Sequence, residues 1–305
     1  MQQIFFRFGP MVILAFTLTV GSTACGQYVA YDENETPSVG NTPTDFPEVK
    51  TLRHYVLAGL MRQYTSTDKD GFVLFDYDGL LADEEGSYLL DMYIATLSSV
   101  DPTKLNQNEK LPFWINAYNA LVVKGVLKAY EGNASFTVVD SGNFFDDPVI
   151  KISEVSFSLN QLEHGVIRGK SDHSGVASAI DAAKTQLLEW HQDLWQGAKV
   201  DARFHATVNC AALSCPNLLA EEPFVFRSDL LESQLQKAVS QWLDHDKKGA
   251  NAAGVSKLFD WYGEDFVAHS GSIDAFIDTY RTAGKAGINT SAFLEYDWTL
   301  NRLSN

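Results

Sequence analysis

The chain is poor in cysteine, in basic residues and in long apolar runs, and each shortage excludes something. Three cysteines in 305 residues are too few for a disulfide scaffold. The longest apolar stretch, residues 11–20, is about half the roughly 20 residues a membrane-spanning helix needs. Lysine and arginine total 23 against 39 acidic residues, a formal charge of −16. Such a surface disfavours nucleic acid and anionic lipid headgroups as partners, and otherwise speaks for solubility. There is no His-Glu-x-x-His and no paired Cys-x-x-Cys, so no metal is expected. Asp68-Lys-Asp70-Gly71 has the start of a calcium loop, but Tyr77 stands where the bidentate glutamate belongs. Asp146-Asp147-Pro148 reads as a loop. Gly-x-Gly-x-x-Gly is missing, and Gly169-Lys170-Ser171 has His164 where a phosphate loop needs its first glycine. No cofactor is expected.

What is present begins with an export signal over residues 1–24: one charge at Arg7, the apolar stretch, then Ser22-Thr-Ala24 at the cleavage point. Cys25 follows, as in the lipobox of bacterial lipoproteins, although Ser22 replaces the usual leucine. Gly26, in place of an aspartate, implies by that resemblance the periplasmic face of the outer membrane. Without lipid on Cys25 the expectation is a periplasmic or secreted protein. Residues 25–47 are polar and acidic with Pro37, Pro43 and Pro47, which suits a disordered tether. Residues 48–305 show no internal repeat and no second composition break, so one globular domain is expected.

Within that domain, Leu52, Val56, Leu60 and Met61 have helical spacing, as do residues 86–99. Pro112 sits where a helix can begin, and residues 113–130 read as a buried helix. Residues 149–157 alternate like a strand. Ser158-Leu-Asn-Gln161 is a capping box opening a helix through Arg168. Residues 177–195 are helical, and Ser228 and Ser272 are each expected to cap a further helix. The clearest strand is residues 203–209, with Phe204, Ala206 and Val208 on one face and Arg203, His205, Thr207 and Asn209 on the other. Helices dominate, so the expected class is α+β: a mostly helical single domain around a small sheet.

Four stretches carry a family resemblance: Phe113-Trp-Ile-Asn-Ala-Tyr-Asn-Ala120, Leu159-Asn-Gln-Leu-Glu-His-Gly-Val-Ile-Arg168, residues 204–216, and Tyr296-Asp-Trp-Thr-Leu-Asn301. Leu258-Phe-Asp-Trp-Tyr-Gly-Glu-Asp-Phe266 adds a late aromatic block. In this order they resemble the family of the domain of unknown function 547, over roughly residues 48–301. The resemblance implies no reaction, so chemistry has to come from the residues.

Chemistry concentrates at Cys210 and Cys215. The expected strand puts His205 about 16 Å from Cys210, at roughly 3.3 Å per residue, and on the opposite face. His205 is therefore expected to be structural or to serve binding. His164 is the expected base for a nucleophilic Cys210, with Glu163 or Asn119 as orienting group, in the manner of papain-like enzymes. That chemistry makes a papain-like core a further expectation for the fold. Asn116, Arg168, His205 and Cys215 complete the candidate site. The sharp reading is a cell-envelope hydrolase or acyl-transfer enzyme acting through Cys210 on a peptide or small molecule. The competing reading is a non-enzymatic binding or scaffold lipoprotein whose Cys210 and Cys215 form a disulfide. The sulfur environment separates the two.

Overall fold

Pro112 does not begin the central helix; it lies inside it. In the computed structural model, which describes residues 52–133, 135–140, 142–152 and 155–304, this helix runs Gln107–Tyr130 (α4 below). The extra turn is tied to a neighbouring helix: Gln107 Nε2 donates to the Leu194 carbonyl at 2.6 Å, and Lys110 Nζ to Asp193 Oδ1 at 2.6 Å. From Lys110 to Tyr130 almost every face is buried, because other elements pack around it on all sides. The leader, Cys25 and the tether fall outside the described residues.

In chain order the helices are α1 (Tyr55–Tyr64), α2 (Tyr77–Ala82), α3 (Glu84–Ser99), α4, α5 (Ser174–Ala177), α6 (Asp181–Trp195), α7 (Leu231–Asp244), α8 (Leu258–Trp261), α9 (Gly263–Ser270) and α10 (Ile273–Tyr280). The strands are few. β1 (Thr65–Thr67) pairs antiparallel with β2 (Val73–Phe75), and β3 (Pro148–Ile152) with β4 (Val155–Ser158). The fold is α+β and mostly helical, with two small two-stranded sheets among the described residues, which form one compact unit. The two hairpins give no support to a papain-like core.

Several local signals hold. Ser158 Oγ accepts from Gln161 N at 3.2 Å while Gln161 Oε1 accepts from Ser158 N at 3.1 Å, the reciprocal capping box. Ser272 caps α10. Ser228 does not cap α7; its hydroxyl binds Glu109 Oε1 at 2.7 Å, and the helix begins at Leu231.

The expected strand over 203–209 is instead a 3₁₀ turn, Ala202–Ala206, followed by irregular chain. Alternation signals a strand only when one face meets water, and here both faces are buried. The polar side chains have found partners within the protein. Asp201 caps the turn through Arg203 N at 3.0 Å, and Arg203 forks onto Glu232 at 2.6 and 2.9 Å. Thr207 Oγ1 returns to the Phe204 carbonyl at 2.6 Å. Phe204 belongs to the large core around α4, whereas Ala202 and Ala206 belong to a smaller aromatic core built on Trp242, Phe259, Phe266 and Phe276. The turn is the seam between the two, and the functional candidates gather along it.

His54 illustrates what this burial does to a titratable group. Its Nδ1 bonds the Tyr93 hydroxyl at 2.6 Å, its Nε2 has no partner, and burial lowers its imidazole to about 4. Between the ordinary histidine value of 6.5 and about 4, the unfolded chain takes up a proton that the folded chain refuses. Stability is therefore full above that window and falls as pH drops through it, by up to about 3 kcal/mol from this residue. Urea unfolding at about pH 7 and about pH 5 should show a smaller loss in His54→Gln than in the parent chain. Equal losses would refute the assignment.

Candidate active site

The turn that carries the two thiols is held by the side chain one residue before it. Asn209 is buried; its Oδ1 accepts from Ala211 N at 2.8 Å and from Asn301 Nδ2 at 3.2 Å, and its Nδ2 donates to the Pro216 carbonyl at 2.6 Å. Asn119 of α4 grips the same segment, accepting from Asn209 N and donating to the Thr207 carbonyl, both at 2.9 Å. Asn116 does the like for Phe226 N and its carbonyl, at 2.9 and 2.8 Å. Neither amide orients an imidazole; both satisfy loop backbone, which corrects the role expected for Asn119. The C-terminal stretch lies alongside, with Leu213 N bonded to the Thr299 carbonyl at 2.7 Å and Asn301 N to that of Ala211 at 2.8 Å. That pairing delivers Tyr296 and Trp298 to the thiols.

Both cysteines are free, so the expected staple is not formed in this structure. Cys210 is half-buried and its Sγ meets the Tyr296 hydroxyl at 3.3 Å. Cys215 is buried, and its Sγ accepts from Cys210 N at 3.0 Å. A hydrogen bond from the Cys215 thiol, with others from the Tyr296 hydroxyl and the Ala212 amide, holds the Cys210 thiol below its ordinary value despite burial. Burial and the adjacent Cys210 push the Cys215 thiol well up. The pair is thus asymmetric: the surroundings favour the anion on Cys210 and the proton on Cys215. Between them Ala211 takes a left-handed φ of 68°, costly for a residue with a Cβ and held by the bonds to Asn209 and Asn301.

A cavity of about 280 Å³ brings Cys210 and Cys215 together with Glu163, His164, His173 and His205. Cys210 and His205 both line it, so the expected placement on opposite faces of a strand is corrected. Glu163 and His164 come from a π-helical segment, Gln161–Ile167, closed by Arg168 N on the Glu163 carbonyl at 2.9 Å. A larger, more open groove of about 790 Å³ near Asp244 and His245 holds none of these groups.

The hydrogen bonds fix which proton each histidine carries. Arg168 has only donors, so its Nη1, 3.0 Å from His164 Nδ1, makes that nitrogen an acceptor and leaves the ring proton on Nε2. Burial, then His173 and Arg168, lower the His164 imidazole to about 2. His164 is thereby a neutral donor, not the general base expected of it. His205 Nε2 lies 2.9 Å from Asp265 Oδ2. Asp265 lies well below the usual carboxylate range; its bonds with His205 and Arg168 outweigh the opposing effect of burial. An ionised carboxylate can only accept, so His205 donates from Nε2 and keeps a lone pair on Nδ1. Burial holds His205 neutral below its ordinary value. The basic lone pair of the site therefore belongs to His205.

Asp265, Tyr296 and His173 were not among the expected site residues. Asp265 and Tyr296 lie within the aromatic words of the sequence, but only the fold shows that they reach back to residues far away along the chain. Asp265 also takes the Arg168 Nε proton at 2.6 Å, and His173 stacks on His164 with ring centroids 3.7 Å apart. Replacing Asp265 with Asn leaves Arg168 buried without its main partner and should cost about 3–5 kcal/mol in urea unfolding. A cost under about 1 kcal/mol would show that the pair is not desolvated.

No curated protein and no solved structure matches the chain. The model of the family described as "Protein of unknown function, DUF547" matches residues 102–243, the stretch carrying α4, the Glu163-His164 segment and both thiols, and so supports the family resemblance read from those motifs.

Proposed function

We propose that the protein is a thiol-dependent hydrolase or acyl-transfer enzyme with Cys210 as its nucleophile. The observation that carries this reading is a free thiol on a cavity wall, provided with hydrogen-bond donors that favour its anion and sharing that cavity with three histidines. A structural cysteine needs none of these. The free state of both sulfurs also weighs against the scaffold reading, which requires them joined. The export signal and Cys25 would give such an enzyme an address in the cell envelope.

In this mechanism the Cys210 thiolate attacks an acyl carbon, forming a carbon–sulfur bond as the carbonyl electrons move onto oxygen. The His164 Nε2 proton is available to that oxyanion without titrating, as a neutral imidazole held by a cation can be. His205 Nδ1, which has taken the proton of the Cys210 thiol, returns it to the leaving group as the intermediate collapses, and a thioester remains on Cys210. His205 Nδ1 then removes a proton from water as it attacks the thioester, with Asp265 stabilising the imidazolium. An amine or alcohol in place of water gives acyl transfer.

The test starts from alkylation. Iodoacetamide should modify Cys210 in the reduced, folded chain and spare Cys215, and the rate should rise at a lower pH than for an ordinary thiol. Tyr296→Phe should move that midpoint upward. With a panel of activated esters, the parent chain should accumulate an acyl adduct on Cys210 by mass spectrometry. Cys210→Ala should lose turnover by about a thousandfold or more. An unreactive Cys210, or turnover surviving Cys210→Ala, removes the proposal.

A further inference from the structure

Glu163 is buried at 6 % relative exposure, lines the same cavity as Cys210, and no cationic side chain among the described residues pairs with it. The two nearby cations are committed elsewhere. Arg168 is held by Asp265 at 2.6 Å and Glu264 at 3.2 Å, and Lys170 by Glu264 at 2.8 Å. The histidines do not supply the missing charge either. Burial keeps His173 and His205 below their ordinary values, and His164 is held neutral against Arg168. The Tyr118 hydroxyl lies against the Glu163 carboxylate and, with burial the larger cause, is pushed well up. A neutral hydroxyl softens a buried charge but does not balance it.

The walls around this carboxylate are aromatic. Trp261 stacks on Trp298 at 5.6 Å and 27°, and Tyr296 lies 4.9 Å from Trp261 and 4.5 Å from Trp298. Trp261 keeps 39 % of its surface exposed, so this wall is open to a ligand. Tyr262, another ring of the lining, already has Arg168 above it at 4.6 Å and His205 stacked at 4.6 Å. Rings of this kind attract a cation through their negative faces, and the attraction grows as water is excluded. The chain's net charge of −16 steers in the same direction.

We propose that the cavity recognises a substrate bearing an organic ammonium group, with Glu163 as its counter-ion and Trp261, Trp298 and Tyr296 as its aromatic wall. At about 280 Å³ the space takes that group and the reacting acyl carbon, with the remainder of the substrate outside. Glu163 is then a binding residue rather than an orienting group for a histidine. The inference rests on the thiol reading for the words "substrate" and "acyl", but binding of the cation is measurable without any chemistry.

The full chain carrying Cys210→Ser is titrated with n-butylammonium and, in parallel, with n-butanol at constant ionic strength. Tryptophan fluorescence follows both, because Trp261 and Trp298 stand on the wall. The cation should bind saturably and at least about tenfold tighter than the alcohol, in keeping with a desolvated ammonium–ring contact. Glu163→Gln should erase that preference, while Glu163→Asp, which retains the charge, should preserve most of it. Equal binding of cation and alcohol, or no saturable response to the cation, overturns the proposal. If Glu163→Gln fails to fold by circular dichroism, the cation-to-alcohol ratio in the Cys210→Ser chain decides alone. Alkylation of Cys210 in the parent chain is read separately, so loss of the ammonium preference with a reactive thiol sinks only this inference.

Discussion

A buried primary amide can make four hydrogen bonds, and one left unmade costs on the order of 1–3 kcal/mol. Asn209 makes three with its side chain and a fourth with its own backbone N–H, each to a different part of the chain. One reaches α4, one the far side of the thiol turn, one the turn itself and one the C-terminal stretch. The position of Cys210 is therefore not a property of its loop. It follows from four segments agreeing on one amide, and neither a shift of α4 nor detachment of the tail could leave the sulfur where it is. The left-handed Ala211 is tolerable for the same reason, since the bonds that flank it over-determine its backbone.

A second constraint, the Arg168–Asp265 pair, sets the proton inventory. Two ions 5 % exposed each and 2.6 Å apart are stable only because each has further partners. Among those partners are the two histidines. Arg168 imposes the acceptor role on His164 Nδ1, and Asp265 imposes the donor role on His205 Nε2. Opposite ends of one ion pair thus hold both rings as the Nε2–H tautomer but grip opposite nitrogens, so one ring has a proton to offer and the other a lone pair. Neither ring needs to be charged at rest. This differs from a papain-like arrangement, in which an asparagine orients the histidine. Here the asparagines are used on backbone, and a carboxylate does the orienting.

Local features of this site could be read from the chain; the long-range ones could not. The capping box at Ser158 and Gln161, the contact of His164 with Arg168 one turn on, and the importance of the thiol pair all depend on residues a few positions apart. The strand expected over residues 203–209 failed because alternation was taken to mean one wet face, whereas Arg203, His205, Thr207 and Asn209 are polar and interior. That single error also separated His205 from Cys210. Asp265 lies 97 positions from Arg168 and Tyr296 lies 86 from Cys210, so no spacing rule connects them. Their words were recognisable as belonging to the family pattern, but their roles follow only from the tail and α9 folding back on the seam. The wide turn at Gln161–Ile167 was equally hidden, since a capped apolar run predicts an ordinary helix.

Three departures from the most stable local choice lie at or beside one cavity: a π-helical segment and a buried carboxylate with no cation beside it among the described residues, both on its wall, and a left-handed alanine next to the cavity-lining Cys210. Each has a cheaper alternative. An α-helical turn satisfies the same backbone groups; glycine at position 211 removes the backbone strain; glutamine at 163 removes the charge. Where one such departure stands alone, local packing explains it. Here they adjoin a hydrogen-bonded thiol, and in the proposed reading a ligand entering the cavity satisfies the carboxylate. Arg168 does not cancel the field of Glu163, being already paired with Asp265 and Glu264. An incoming cation relieves that field directly. A neutral ligand of the same shape would displace what water the cavity admits and leave the charge more isolated than before.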